Sequence, residues 1–87
     1  MRIYKTESEY QEMLHARSVM NRGACLDSSE CGCFFCLHIF KSDMIDRWID
    51  DESTAICPYC AVDAVMPQSD DYELDDALLL RMKEYWF

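Results

Sequence analysis

Cys33-Phe34-Phe35-Cys36 and Cys57-Pro58-Tyr59-Cys60 are two C-x-x-C pairs separated by twenty residues, and no other feature constrains the fold of this chain as tightly. A C-x-x-C pair turns two thiolates toward one ion from a tight backbone knuckle. The combined pattern, C-x₂-C-x₂₀-C-x₂-C, lies at the long end of the spacing of structural zinc sites. It predicts one zinc ion held by Cys33, Cys36, Cys57 and Cys60. Four thiolates suit this borderline-soft cation and close it off from water, so the predicted role is structural rather than catalytic. An 87-residue chain buries only about 60–65% of its unfolded surface, and a metal staple offsets that small core.

Other donors lie close by. Cys31 paired with Cys36 would make a less common C-x₄-C knuckle, and Cys25 lies further upstream. His38 could reach a metal held near Cys36, but between Leu37 and Ile39 it reads as the polar face of a short strand. His15 reads as surface on the first helix. The paired spacing therefore leaves Cys25 and Cys31 out of the metal site.

The composition is globular, with 51% hydrophobic residues, two glycines and two prolines. No stretch approaches the roughly 18 apolar residues that a membrane-crossing helix needs. Met1 to Glu7 lacks the apolar core of a signal peptide. These features predict a reducing, cytoplasmic setting, where six cysteines serve as ligands and spare thiols. The rival is a secreted three-disulfide fold, a class that normally carries a secretion signal.

Net charge is −9, and the excess is local. Residues 1–42 balance five acids against five bases. Residues 43–76 hold eleven acids (Asp43, Asp46, Asp50, Asp51, Glu52, Asp63, Asp70, Asp71, Glu73, Asp75, Asp76) against Arg47 alone. Four zinc-bound thiolates would leave a further charge of about −2. Such a surface repels nucleic-acid phosphates and anionic lipid and attracts a basic protein.

Thr6-Glu7-Ser8-Glu9 has the form of a capping box, and Tyr10, Met13 and Leu14 follow at helical spacing. A helix is expected over about 7–22, with Gly23 as its stop. Residues 24–32 read as a loop and Leu37 to Phe40 as a short strand. Ser42 suits an N-cap for a short helix over about 43–50, with Met44, Ile45, Trp48 and Ile49 on one face. Asp51-Glu52-Ser53 reads as a turn and Thr54-Ala55-Ile56 as a strand entering the second knuckle. Ala61 to Met66 fits either a strand or a helical turn, and residues 67–71 form a loop. Asp75 caps a last helix over about 76–86, whose Leu78, Leu79, Met82, Tyr85 and Trp86 make a wide apolar stripe. Its aromatic residues are expected in the core.

Cys57-Pro58-Tyr59-Cys60 is also the tetrapeptide of glutaredoxins, where a helix N-terminus lowers the pKa of the first thiol. Only 27 residues follow Cys60, too few for the rest of that fold, and the acidic neighbours Asp50, Asp51, Glu52 and Asp63 raise a thiol pKa. No phosphate-cradling loop or serine elbow is present. Asp70, Asp71, Asp75 and Asp76 lack the glycine and terminal glutamate of a calcium loop.

Cys31-Gly32-Cys33-Phe34-Phe35-Cys36, Trp48-Ile49-Asp50, Thr54 to Cys60 and Tyr85-Trp86-Phe87, with Asn21-Arg22 upstream, resemble a family of small bacterial cytoplasmic proteins. Its members carry C-G-C-F-Y-C, a tryptophan-containing helix, C-P-Y-C-G-I-D and a Y-W-F ending. The resemblance covers about residues 18–87. It departs at Ala61, where the family has glycine, and at Val62, where it has isoleucine. The resemblance implies zinc binding and a bacterial cytoplasmic setting, and carries no assigned activity.

The expected fold is a small α+β zinc-binding domain over residues 1–87, with two Cys-x-x-Cys knuckles and short strands between N- and C-terminal helices. The zinc core is expected over about 31–66. The expected function is a non-enzymatic, acidic protein-interaction module, in its sharpest form an inhibitor or immunity protein against a basic partner. A thiol-redox protein using Cys57 to Cys60 and a nucleic-acid-binding zinc ribbon are the alternatives.

Overall fold

In the computed structural model, which describes residues 6–87, the chain is a small α+β fold with a helix at each end. Thr6 caps the first helix, α1 (Glu7–Ala16), its hydroxyl accepting from the Glu9 amide at 3.1 Å. Below it, Leu14 is completely buried.

The expected 7–22 helix stops six residues early. Arg17 and Ser18 donate back to the Leu14 and His15 carbonyls, and the Ser18 hydroxyl caps His15 as well. Met20 then turns left-handed (φ 48°), its amide donating to Thr54 Oγ1 at 2.8 Å. A second helix, α2 (Arg22–Asp27), follows. Gly23, expected as a stop, lies inside this helix. The 24–32 stretch, expected as a loop, holds the end of α2 and the start of strand β1 (Glu30–Cys33).

β1 is the centre of an antiparallel sheet in the order β2-β1-β5, with β2 at Ile39–Lys41 and β5 at Val65–Pro67. Cys31 lies opposite Phe40 on one side and Pro67 on the other. Gly32 sits where space is tight. A Cβ at this position would lie 2.9 Å from Leu79 Cδ1 and 3.2 Å from Leu74 Cδ1. Packed against this gap is α3 (Asp76–Trp86), capped by Asp75, whose carboxylate accepts from the Leu78 amide at 2.8 Å. Leu14, Met66, Leu79 and Met82 are fully buried in the core between the sheet and the terminal helices.

The expected helix over 43–50 is absent. Ser42–Met44 make one 3₁₀ turn, and Trp48–Ile49 form β3, which pairs with β4 (Thr54–Ala55). An eight-residue helix is marginal without tertiary support, and here Thr54, the cross-strand partner of Ile49, lies only five residues on. The hairpin turn is costly. Asp50, Asp51 and Glu52 are all left-handed (φ 56°, 56° and 65°), a conformation that costs a residue such as Glu52 about 1–2 kcal/mol and aspartate less, Asp50 accepting locally from the Thr54 hydroxyl at 3.0 Å.

One buried polar side chain joins these parts. Asn21 Nδ2 donates to the Arg17 and Val65 carbonyls, each at 2.9 Å, and its Oδ1 accepts from the Ala55 amide at 3.1 Å. It thereby links the end of α1 to β5 and β4.

The C-terminal stripe divides. Leu78, Leu79 and Met82 are buried, whereas Tyr85, Trp86 and Phe87 are exposed by 43%, 36% and 62%. The expectation that these aromatics belong to the core is corrected: they wrap its edge. Trp86 donates its indole N–H to Gln11 Oε1 at 3.2 Å and packs on His15 at 4.3 Å. His15, expected as free surface, is thus a packing residue.

Candidate metal centre

The two C-x-x-C pairs adopt one local geometry twice. In the first, the Phe35 amide lies 3.4 Å from Cys33 Sγ and the Leu37 amide donates to the Cys33 carbonyl at 2.9 Å. In the second, the Tyr59 amide lies 3.4 Å from Cys57 Sγ and the Ala61 amide donates to the Cys57 carbonyl at 3.0 Å. Each leading cysteine also donates its own amide to the carbonyl five residues on, His38 or Val62, at 3.0 Å. Both turns reverse through a left-handed residue, Leu37 at φ 68° and Ala61 at φ 63°. Each of these residues directly follows the second cysteine of its pair, where the chain turns back out of the knuckle, a position that normally selects glycine.

β1 delivers Cys33 and its knuckle, and β4 feeds the chain into Cys57. The four sulfurs of Cys33, Cys36, Cys57 and Cys60 converge, with all ligand atoms within 4.8 Å of one another. Across the two knuckles, Cys33 Sγ lies 3.6 Å from Cys60 Sγ, and Cys36 Sγ lies 3.6 Å from Cys57 Sγ. A tetrahedral ion with metal–sulfur bonds of about 2.3 Å sets its sulfurs about 3.8 Å apart. The cluster therefore has the size and donor chemistry of a four-thiolate metal site. Cys33 and Cys57 are buried, and Cys36 and Cys60 form its partly open edge.

The electrostatics fit a site that needs a cation. Burial pushes the Cys33 and Cys57 thiols up. Burial also opposes ionisation of Cys36, but hydrogen bonds from the backbone and ring of His38 and from the neighbouring thiols outweigh it and bring that thiol to about 6. Four sulfurs this close cannot all carry charge without a positive partner.

His38 Nδ1 sits 3.3 Å from Cys36 Sγ and its ring stacks on Tyr59, with centroids 4.2 Å apart and planes 4° from parallel. It lies outside the four-sulfur group and supports Cys36 from the open side. His38 is exposed, as expected of strand surface, and its ring also reaches the Cys36 side of the cluster. Cys25 and Cys31 are fully buried away from the four sulfurs. Cys31 Sγ contacts Ser28 Oγ at 3.7 Å and the Cys25 carbonyl at 4.0 Å.

No protein-family model, curated protein or solved structure matches the chain. Among the described residues, no helix is long and apolar enough to cross a membrane.

Proposed function

We propose that Cys33, Cys36, Cys57 and Cys60 hold a structural zinc ion, and that the folded chain is a non-enzymatic protein-interaction module for a basic partner. The observation that carries the metal reading is the pair of 3.6 Å sulfur–sulfur distances across two matching knuckles. Zinc, with no redox chemistry and a tetrahedral preference, fits four thiolates without an open position. When bound, it supplies the positive charge that lets all four sulfurs ionise. The residues themselves do the holding. Phe35 and Tyr59 amides point at the leading thiolates, and His38 braces Cys36.

Redox use of Cys57 is disfavoured by its surroundings. Burial raises that thiol, and the residues after it form a turn and then β5 rather than the helix N-terminus that would lower it. For the interaction reading, the support is charge. Asp43, Asp46 and Asp63 are exposed around the hairpin and second knuckle, in a segment with eleven acids and one base. An inhibitor or immunity role toward a basic toxin or nuclease is the sharpest form of this reading.

Affinity capture from a bacterial lysate at low and high salt tests the partner class. A basic protein retained at low salt and released at high salt is the expected result. Retention of nucleic acid at physiological salt would contradict it.

A further inference from the structure

Between the β3–β4 hairpin and the second knuckle lies an open groove of about 490 Å³, lined by Asp46, Arg47, Trp48, Ile49, Glu52, Ile56 and Ala61. Its apolar lining is Trp48, Ile49, Ile56 and Ala61. Trp48 is half-buried and Ile49 is 41% exposed. Arg22 stacks on the Trp48 ring with its guanidinium 4.8 Å from the centroid, and its Nη1 donates to the Glu52 carbonyl at 3.0 Å, which fixes the indole and the turn together. Asp46 and Glu52 stand at the rim, and Asp50 and Asp51 continue the acidic edge from the hairpin turn.

We propose that this groove is the docking site of the basic partner, and that it takes an extended segment alternating arginine or lysine with apolar residues. In an extended chain, successive side chains point to opposite sides. An apolar side chain can then enter against Trp48, Ile49 and Ile56 while its cationic neighbours meet Asp46, Glu52 and the turn. The charge favours this occupant: Asp46 and Glu52 in the lining and Asp50 and Asp51 in the adjoining turn are four carboxylates against two cations, Arg47 in the lining and Arg22 on Trp48.

The turn adds an independent pointer. Three consecutive acidic residues are held left-handed where glycine would be relaxed, and strained backbone of this kind clusters at binding sites. The groove also shares its wall with the metal centre. Ile56 precedes Cys57, and Ala61 is the left-handed residue of the second knuckle, so loss of the knuckle geometry removes one side of the groove.

This inference rests on the basic-partner reading, and the test separates the two. The zinc-loaded full chain, ¹⁵N-labelled, is titrated with a decapeptide alternating arginine and valine, and in parallel with its glutamate–valine counterpart. The expected result is a shift of the Trp48 indole, Ile49, Ile56 and Ala61 signals with the arginine peptide alone. Shifts centred on residues 70–76 instead would overturn the groove while leaving a basic partner in place. Equal response to both peptides, or none, would overturn both. Shifts that depend on protein concentration without peptide would mean that a second copy occupies the groove, which also refutes the proposal. Glu52→Gly supplies a second measurement, because it relieves the strained turn and removes a rim carboxylate. It should raise the melting temperature by about 5 °C yet weaken the arginine peptide at least fivefold. A variant that is more stable and binds as well as before counts against the assignment.

Discussion

At Ala61 the backbone asks for glycine and the chain supplies a methyl group. The residue is left-handed at φ 63°, in the same place in its knuckle as Leu37 at φ 68°. Ala61→Gly should therefore stabilise the fold by about 1 kcal/mol, read as a shift of the urea midpoint at constant slope. No change would mean that the second knuckle is not held in this conformation. The cysteines divide by the same local geometry. Cys31→Ser and Cys25→Ser should each keep one metal per chain by elemental analysis, because both sulfurs lie outside the four-sulfur cluster. Cys57→Ser should lose it. If Cys31→Ser abolished the metal and Cys33→Ser did not, the ligand set would be wrong. Asn21 is the most exacting polar residue of the fold, with three hydrogen bonds to backbone groups of three segments. Asn21→Ala leaves the Val65 carbonyl and Ala55 amide without their partner and should cost about 2–4 kcal/mol in chemical denaturation. A loss below half of that would show that water replaces the amide.

Among the elements, α3 carries the clearest energetic prediction. Leu79 and Met82 are completely buried and Leu79 fills the gap over Gly32, so Leu79→Ala should cost about 2–5 kcal/mol. Trp86→Ala should cost less than Leu79→Ala, because the indole is 36% exposed and holds one hydrogen bond to Gln11. Thermal melts of the two variants, compared side by side, check the order. α3 was legible because its signals are local: a capping Asp75 and an apolar stripe of helical period. The knuckles were legible for a related reason, since C-x-x-C spacing encodes a turn. The region between them was not. Met44, Ile45, Trp48 and Ile49 fit a helical face equally well, and only the pairing of Trp48 with Ala55 decides for a hairpin. Likewise the break after Ala16 is set from outside the helix, by Thr54 accepting the Met20 amide and by the reach of Asn21. A one-dimensional pattern does not carry such contacts. Tyr85 to Phe87 failed differently: their size suggested burial, but the end of α3 stays largely exposed, and Phe87 packs on Phe34 and Phe35 of the first knuckle at 5.8 and 4.9 Å.

At the scale of the whole molecule, the acidic surface and the four-sulfur cluster should govern behaviour. Reversing the exposed Asp43, Asp46 and Asp63 to lysine should slow association with a basic partner and flatten its salt dependence, since steering acts over about 8 Å at physiological ionic strength. These positions are better targets than the Asp50–Glu52 turn, where any reversal also disturbs a strained backbone. Surface plasmon resonance at several salt concentrations reads the effect directly, and an affinity indifferent to both salt and reversal would remove the acidic surface from the account. Acid should act through the metal centre, because the ligands must be thiolates to hold the ion, so affinity falls as pH falls and thiols regain their protons. The central claim is that the four-sulfur cluster is filled by zinc and that the fold depends on it. Its most direct test is elemental analysis of the purified chain, followed by circular dichroism before and after chelation in reducing buffer. One zinc per chain, with helical signal and cooperative melting lost on chelation and regained on adding zinc, is the predicted result. A chain that carries no metal and keeps its full signal and melting transition would contradict it.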